Sequence, residues 1–215
     1  MPTVLLCDLD GTILDTTRLI LESLRHAAAT VFGVVPEDSV FLAHFGRPLE
    51  ESLAALAPEL SPVQFQAFVD AYLEHTHAHQ DRLLTVVPGA DAAIRRLRAA
   101  GRTLAVVTSK RKDLALHGLS RFGLGDSFAA VVAREDTARH KPDPEPLQEA
   151  LRRLGVESDM AAYVGDSPFD MRAARAAGVR AWGIVHNTFS IRDLSDHGAE
   201  RVALGWDEIL AWCGL

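Results

Sequence analysis

Short apolar segments recur along this chain, with helical patterns between them. The first is 3–7, followed directly by Asp8. The others are 103–107, 129–133, 161–164, 180–185 and 201–203. Segments of this length that alternate with helices are typical of buried parallel strands. The pattern therefore predicts an α/β protein with a doubly wound, mostly parallel sheet.

The stretch from Thr16 to Thr85 departs from this alternation because its patterns are helical only. Helices are predicted there over 17–32, 38–44, 49–57 and 62–80, and between the later strands over 90–100, 145–154 and 171–177. We therefore expect a core formed by 1–15 and 86–215, with a small all-helical domain, 16–85, inserted after the first strand.

Composition limits the classes of function open to a chain of 215 residues. The content of 48% hydrophobic and 24% charged residues is that of an ordinary globular protein. A net charge of −7 argues against nucleic acid as the main partner, because binding the phosphate backbone needs a basic face. No apolar run reaches membrane-spanning length, and two cysteines offer no disulfide framework. We expect a cytoplasmic enzyme, monomeric or homodimeric, with neither a nucleic-acid nor a membrane partner.

Residues suited to binding phosphate and a divalent cation follow four of the predicted strands. Ligands of an open parallel sheet bind beyond the carboxyl ends of its strands, so these sets should meet at one edge. The sets are Asp8-Leu9-Asp10-Gly11-Thr12, Thr108-Ser109-Lys110, Lys141-Pro142-Asp143-Pro144 and Gly165-Asp166-Ser167-Pro168-Phe169-Asp170. This edge of the sheet is the candidate site.

Four aspartates dominate these sets, namely Asp8, Asp10, Asp166 and Asp170. Alternation along an extended strand end places Asp8 and Asp10 on the same side. Carboxylates in this number repel each other unless a cation neutralises them or some are protonated. Because the motifs offer hard oxygen donors without His or Cys, Mg²⁺ is the expected metal.

Two helix starts are predicted beside these acids. Ser167 has the form of an N-cap, which would aim Asp170 back at the preceding strand end. Ser109 is predicted to cap a helix that begins at Lys110, leaving backbone N–H groups free for phosphate oxygens beside the Thr108 hydroxyl. A solvated helix start explains Ser109 and Lys110 equally well, and that alternative stays open.

Lysine is scarce in this chain, which has nineteen arginines but only Lys110, Lys112 and Lys141. Lys141 would supply the positive charge that a transferring phosphoryl group requires. A lysine in a chain that otherwise uses arginine fits a point charge that serves both nucleophile and phosphate.

The order and form of these segments closely resemble the haloacid dehalogenase superfamily of phosphohydrolases, in particular the subgroup with a helical cap after the first strand. The resemblance covers nearly the whole chain. Its motifs are matched by Asp8 and Asp10 (D-x-D-G-T), Thr108 (the second-strand hydroxyl), Lys141 (the lysine motif), and Asp166 with Asp170 (G-D-x-x-x-D). The strings K-P-D-P-E-P and G-D-S-P-x-D-M are similar to those of phosphoglycolate phosphatases and a related pyrophosphatase.

The resemblance implies a Mg²⁺-dependent phosphatase that works through an aspartyl-phosphate intermediate. Asp8 would attack phosphorus, and Asp10 would protonate the leaving oxygen and then activate water. The phosphoryl oxygens would be held by Thr108, the N–H groups around Ser109, and Lys141. The implied metal ligands are Asp8, the Asp10 carbonyl, Asp166 and Asp170, the last directly or through water.

The resemblance also bears on the substrate, a small phosphorylated metabolite. In capped relatives the loop corresponding to Gly46-Arg47-Pro48 reaches over the active site, so Arg47 is a candidate for binding a carboxylate or second phosphate. An ordinary surface arginine is the alternative. Phosphoglycolate is the first candidate substrate, with pyrophosphate, a sugar phosphate or a nucleotide as alternatives.

Other functions also occur on this fold. Asp10 favours phosphoryl chemistry over dehalogenation, which does not need the second acid. The segment 16–85 contains no lysine to form the Schiff base of the phosphonate-cleaving relatives. A phosphomutase, which shares every core residue, stays open. A non-catalytic binding protein would usually have lost a carboxylate.

Three histidines, His75, His77 and His79, form a pattern with the look of a metal cluster. No carboxylate or cysteine completes the set, so a solvated helix face is the favoured interpretation. Cys7, beside the predicted nucleophile, is expected to be a buried packing residue.

Overall fold

The computed structural model describes residues 2–215 and contains eight strands in that range. They are β1 (Val4–Cys7), β2 (Leu14–Asp15), β3 (Thr85–Val86), β4 (Thr103–Val107), β5 (Ala130–Val132), β6 (Ala161–Gly165), β7 (Arg180–Ile184) and β8 (Arg201–Ala203). Six of them form one parallel sheet in the order β5-β4-β1-β6-β7-β8. The predicted α/β fold with a parallel sheet is confirmed, and β1 lies at the centre.

Ten α-helices accompany these strands within residues 2–215. They are α1 (Thr17–Phe32), α2 (Asp38–Leu42), α3 (Leu49–Leu56), α4 (Pro62–Leu83), α5 (Ala90–Ala99), α6 (Lys112–Arg121), α7 (Glu145–Leu154), α8 (Pro168–Ala176), α9 (Ile191–Asp196) and α10 (Trp206–Trp212). No helix in this part of the chain combines the length and apolar character needed to cross a membrane.

The sheet is buried on both faces, as the apolar character of β1 predicts. Successive side chains of a strand point to opposite faces. Accordingly, Leu5 and Cys7 belong to one hydrophobic cluster, and Val4 and Leu6 belong to the other. The same alternation continues past the end of β1 and places Leu9 in the first cluster, opposite Asp8. Cys7 is fully buried, as expected.

Helices α1–α4 form a separate hydrophobic cluster, and we call the segment 16–85 the cap. The chain enters and leaves it through β2 and β3, which pair antiparallel, with Leu14 opposite Val86 and Asp15 opposite Thr85. The helical character predicted for this stretch matches α1–α4. Its boundaries as an independent domain stay a prediction.

Candidate active site

The four predicted sets meet at the carboxyl edge of the sheet. The N–H of Asp8 donates to the carbonyl of Val164 in β6 at 2.8 Å, which continues the sheet pairing one residue past β1. The N–H of Thr108 donates to the carbonyl of Val132 in β5 at 2.9 Å. Both functional residues are therefore held by the hydrogen bonds of the sheet, and both side chains are buried.

Three carboxylates, those of Asp8, Asp166 and Asp170, share one small volume, and we call them the acid cluster. One oxygen from each lies within 4.8 Å of the others. Asp8 is 3% exposed and Asp170 is fully buried. Burial raises the pKa of Asp8 to about 7, with Asp170 adding to the rise and Lys141 opposing it. Burial and its two acidic neighbours likewise raise the pKa of Asp166 well above its ordinary value.

The donor set of the acid cluster fits a divalent cation. It consists only of hard oxygen ligands, and positive charge placed among them would relieve the repulsion that adds to burial in raising the pKa values of Asp8 and Asp166. The predicted ligand Asp10 lies outside this group of three, so only its backbone carbonyl remains a candidate.

Gly11 allows the loop after β1 to pass close to Asp166. Its φ of +74° lies in the left-handed region, which favours glycine. A Cβ at this position would lie only 2.0 Å from Asp166 Oδ2. Any side chain here would therefore displace a carboxylate of the acid cluster.

Lys141 supplies positive charge to two members of the acid cluster, Asp8 and Asp170. Its Nζ lies 2.9 Å from Asp8 Oδ1 and 2.6 Å from Asp170 Oδ1, and it donates to the Tyr163 hydroxyl at 3.0 Å. Burial lowers the pKa of Lys141, but Asp170 and Asp8 outweigh burial and raise it above its usual range. The side chain is therefore charged and held in place by its acidic partners.

Both oxygens of Asp170 are engaged in hydrogen bonds. Oδ1 accepts from Lys141 and lies 3.0 Å from the Tyr163 hydroxyl, while Oδ2 accepts from the N–H and hydroxyl of Ser167 at 3.0 and 2.6 Å. The Ser167 hydroxyl in turn accepts from the N–H of Asp170, so the predicted N-cap of α8 is confirmed. Asp170 orients Lys141, and direct metal binding would require it to give up one of these bonds.

Asp10 has Lys110 as its partner. Lys110 Nζ lies 3.1 and 3.2 Å from the two carboxylate oxygens. The sequence pattern predicted Lys110 only as the start of a helix and gave no sign of this pair, although lysine is rare in the chain. The third lysine, Lys112, donates to Asp136 at 2.9 Å, so every lysine of the chain pairs with an aspartate near this edge.

The prediction that Ser109 caps a helix beginning at Lys110 is wrong. Helix α6 begins at Lys112 and has no side-chain cap. The Ser109 hydroxyl donates instead to the carbonyl of Gly46 in the cap at 3.1 Å. The N–H of Lys110 donates to the Thr108 hydroxyl at 3.1 Å, a local bond that competes with helix formation and delays its start.

The cap loop that contains Arg47 lies against the start of α8. At Gly46, where φ is +94°, a Cβ would lie 2.8 Å from the Ser167 hydroxyl oxygen. The Arg47 guanidinium stacks over the Phe169 ring, 4.6 Å from its centroid, and Arg172 stacks on the same ring at 4.9 Å. Arg47 is thus at the border of the site, and its contact with substrate stays a prediction.

The three cap histidines do not form a metal-binding group. Among residues 2–215, the acid cluster is the only group of acids, histidines and cysteines with suitable spacing. His75 Nδ1 lies 3.0 Å from the Ser23 hydroxyl, while His77 and His79 hydrogen-bond to backbone carbonyls one turn earlier. This arrangement agrees with the predicted helix face.

Comparisons with known proteins point to one family. The family model described as haloacid dehalogenase-like hydrolase matches residues 5–184. The pyrophosphatase PpaX of Halalkalibacterium halodurans is 35% identical over 175 residues, covering 81% of this chain and 80% of the relative. A phosphoglycolate phosphatase of Mesorhizobium japonicum is 34% identical over 180 residues, covering 82% and 79%. A crystal structure described as a predicted phosphatase from Clostridium acetobutylicum aligns with a TM-score of 0.88 at 25% identity over the full length of both chains.

Proposed function

This chain belongs to the haloacid dehalogenase-like hydrolase family, and from that premise we propose that it is a Mg²⁺-dependent phosphatase. It hydrolyses a small phosphate monoester through an aspartyl-phosphate intermediate. The observation that carries this proposal is the acid cluster with a buried, charged lysine paired to two of its members. Such a site combines a nucleophile, a cation site and a phosphate-binding charge in one place.

The metal would be held by Asp8 and Asp166, with the Asp10 carbonyl and Asp170 as further ligands. The all-oxygen donor set favours Mg²⁺ over metals that prefer nitrogen or sulfur. When bound, the ion would supply positive charge to the carboxylates and to the phosphoryl oxygens.

Asp8 is the proposed nucleophile, since its carboxylate lies at the end of the central strand beside Lys141. In the first step an oxygen of Asp8 forms a bond to phosphorus as the bond to the leaving oxygen breaks, and Asp10 donates its proton to that oxygen. In the second step Asp10 takes a proton from water as the water attacks phosphorus, which releases phosphate and regenerates Asp8. Lys141 and the Thr108 hydroxyl hold the phosphoryl oxygens where negative charge develops.

Two substrate candidates come from the names of relatives. Phosphoglycolate, a phosphate monoester, is the first candidate, and pyrophosphate is the second because the PpaX relatives share about a third of their residues with this chain. A phosphomutase would use the same core residues but yield an isomerised sugar phosphate. The expected cytoplasmic location and the monomeric or homodimeric state stay predictions.

A screen of phosphorylated metabolites tests the proposal. Purified protein with Mg²⁺ is expected to release inorganic phosphate from phosphoglycolate, pyrophosphate, sugar phosphates or nucleotides, and specificity constants would rank them. Asp8→Asn is expected to abolish release while its circular dichroism spectrum stays unchanged. Substantial turnover by a folded Asp8→Asn variant would defeat the mechanism, and an isomerised sugar phosphate without free phosphate would indicate a mutase.

A further inference from the structure

A cavity of about 290 Å³ extends from the catalytic carboxylates into the interior of the cap. Its core end is lined by Asp8, Asp10, Lys110, Lys141 and Asp166. Its cap end, which we call the cap chamber, is lined by Leu24, Ala28, Phe41, Leu53 and Phe68. The volume is near the lower limit of pockets that bind small molecules.

The walls of the cap chamber belong to the hydrophobic core of the cap itself. Phe41, Leu53 and Phe68 are 4%, 3% and 2% exposed, and all belong to the cluster formed by α1–α4. Protein interiors are normally packed as densely as organic crystals. An apolar cavity within such a core that is continuous with the catalytic site is therefore a place for an apolar group of the ligand.

Two of the cations that line the cavity already have acidic partners, while Arg47 also lines it and stacks on Phe169. Lys110 is paired with Asp10, and Arg134 forms an ion pair with Glu50. A second anionic group placed among the five apolar residues of the chamber would lose its hydration, because none of those side chains carries a compensating charge. Phosphoglycolate and pyrophosphate each carry such a group.

His44 is one of the polar residues in the cavity wall. Its buried Nδ1 has no hydrogen-bond partner in the described part of the chain. Burial, with Arg47 adding to the effect, lowers the pKa of His44, which favours the neutral ring. A neutral imidazole nitrogen can form one hydrogen bond to a hydroxyl or carbonyl oxygen without requiring charge on the ligand.

We propose that the substrate is a phosphate monoester whose leaving alcohol carries an alkyl or aryl group, and that this group occupies the cap chamber. The inference rests on the proposed phosphatase function and specifies its substrate class. The phosphoryl group lies at the acid cluster, and the ester oxygen lies between it and the chamber.

A series of straight-chain alkyl phosphates tests this inference, because their alcohols have similar acidity and differ mainly in apolar length. With Mg²⁺ present, kcat/KM is expected to rise about threefold to fourfold per methylene until the chamber is full. Phosphoglycolate and pyrophosphate are expected to fall below the longer esters. A flat or falling series would overturn the inference while leaving the phosphatase intact, whereas no phosphate release from any substrate would mean that the proposed function itself has failed.

Variants of two neighbouring alanines place the effect in the chamber. Ala28→Leu reduces the space and is expected to lower the ratio of kcat/KM for hexyl over methyl phosphate at least tenfold. Ala27 is buried in the same cluster but does not line the cavity, so Ala27→Leu is the matched control and should keep the ratio. If Ala28→Leu does not fold, Leu53→Ala enlarges the chamber and should move the optimum to longer chains. Equal ratios in Ala27→Leu and Ala28→Leu, or an unmoved optimum in Leu53→Ala, would contradict the inference.

Discussion

Two groups of charges lie near the same edge of the sheet, and they are arranged in opposite ways. In the acid cluster, three carboxylates lie together, and a single cation, Lys141, pairs with two of them, Asp8 and Asp170. Burial and like charge raise the pKa of Asp8 and of Asp166. This region stays short of positive charge until a cation binds.

The second group surrounds Asp136, shortly after β5, and here cations outnumber the carboxylate. Asp136 accepts from Lys112 at 2.9 Å, from Arg153 at 2.8 Å and from the N–H of Ala133 at 2.9 Å. Although burial raises its pKa, these three donors together lower the pKa of Asp136 to about 2. We call this group the Asp136 cluster.

The comparison separates charge that supports the fold from charge that supports chemistry. The Asp136 cluster is satisfied by the chain itself and stabilises the folded state. The acid cluster is satisfied only in part, which costs stability and leaves the site able to bind a cation and phosphate.

The largest expected effect is on kcat, and it is tested by replacing the lysine of each group in turn. Lys141→Met is expected to lower kcat about 100- to 1000-fold, because it removes the charge that would hold the phosphoryl oxygens. Lys112→Met removes a lysine near the same edge and should leave kcat within about twofold. Steady-state phosphate release measures both, and similar losses in the two variants would erase the proposed distinction.

The next effect is the pH dependence of stability without metal. Because the pKa of Asp8 is raised to about 7 in the folded protein, protonation of Asp8 stabilises the folded state at low pH. This stabilisation is lost as pH rises from about 4 to about 7. The free energy of unfolding of the metal-free protein is expected to fall by about 2–4 kcal/mol over that interval on this account. Urea denaturation in a chelator measures it. Asp8→Asn should flatten the slope, and an unchanged slope would show that Asp8 is not its source.

A third effect is stabilisation by Mg²⁺. An ion that binds only the folded state should raise the free energy of unfolding by about 2.7 kcal/mol at a concentration one hundred times its Kd. Asp166→Asn is expected to remove most of this gain, while Asp136→Asn should keep it. Thermal unfolding with and without Mg²⁺ measures the shift, and an equal gain in wild type and Asp166→Asn would exclude Asp166 as a ligand.

The smallest effect comes from breaking the Asp136 cluster. Because the pKa of Asp136 is lowered in the folded protein, ionised Asp136 stabilises the folded state above pH about 4, and this stabilisation is lost as pH falls from about 4 to about 2. Asp136→Asn is expected to cost about 1–2 kcal/mol at pH 7, with the difference from wild type shrinking below pH about 4. Urea denaturation across this range measures it. A large loss of kcat in Asp136→Asn would show that the two groups are coupled.

Local patterns predicted most of the secondary structure. The strand 103–107 and the helices 17–32 and 145–154 match β4, α1 and α7 residue for residue, because each has a regular apolar pattern with clear ends. The strands β2 and β3 were missed since two residues cannot show a period. The start of α6 was wrong because the Thr108 hydroxyl competes for a backbone N–H.

The candidate site also contains both features that the sequence predicts and features that it does not. The acids and Lys141 are signalled by spacing within single segments, so they could be identified without coordinates. Contacts such as Lys110 with Asp10 and Ser109 with Gly46 join positions 100 and 63 residues apart, and no local pattern contains them. The cap chamber could not be predicted either, because the apolar pattern of a helix face is the same whether its side chains pack closely or line a cavity.

The pairing of β2 with β3 means that the chain leaves the core and returns to it at one point. The cap is therefore joined to the core by two adjacent chain segments, and the catalytic residues of the core lie outside this connection. A cap of another shape could replace this one at the same connection without any change to the strands of the core. Substrate specificity, set in the cap, and reaction chemistry, set in the core, would then be free to change separately during evolution.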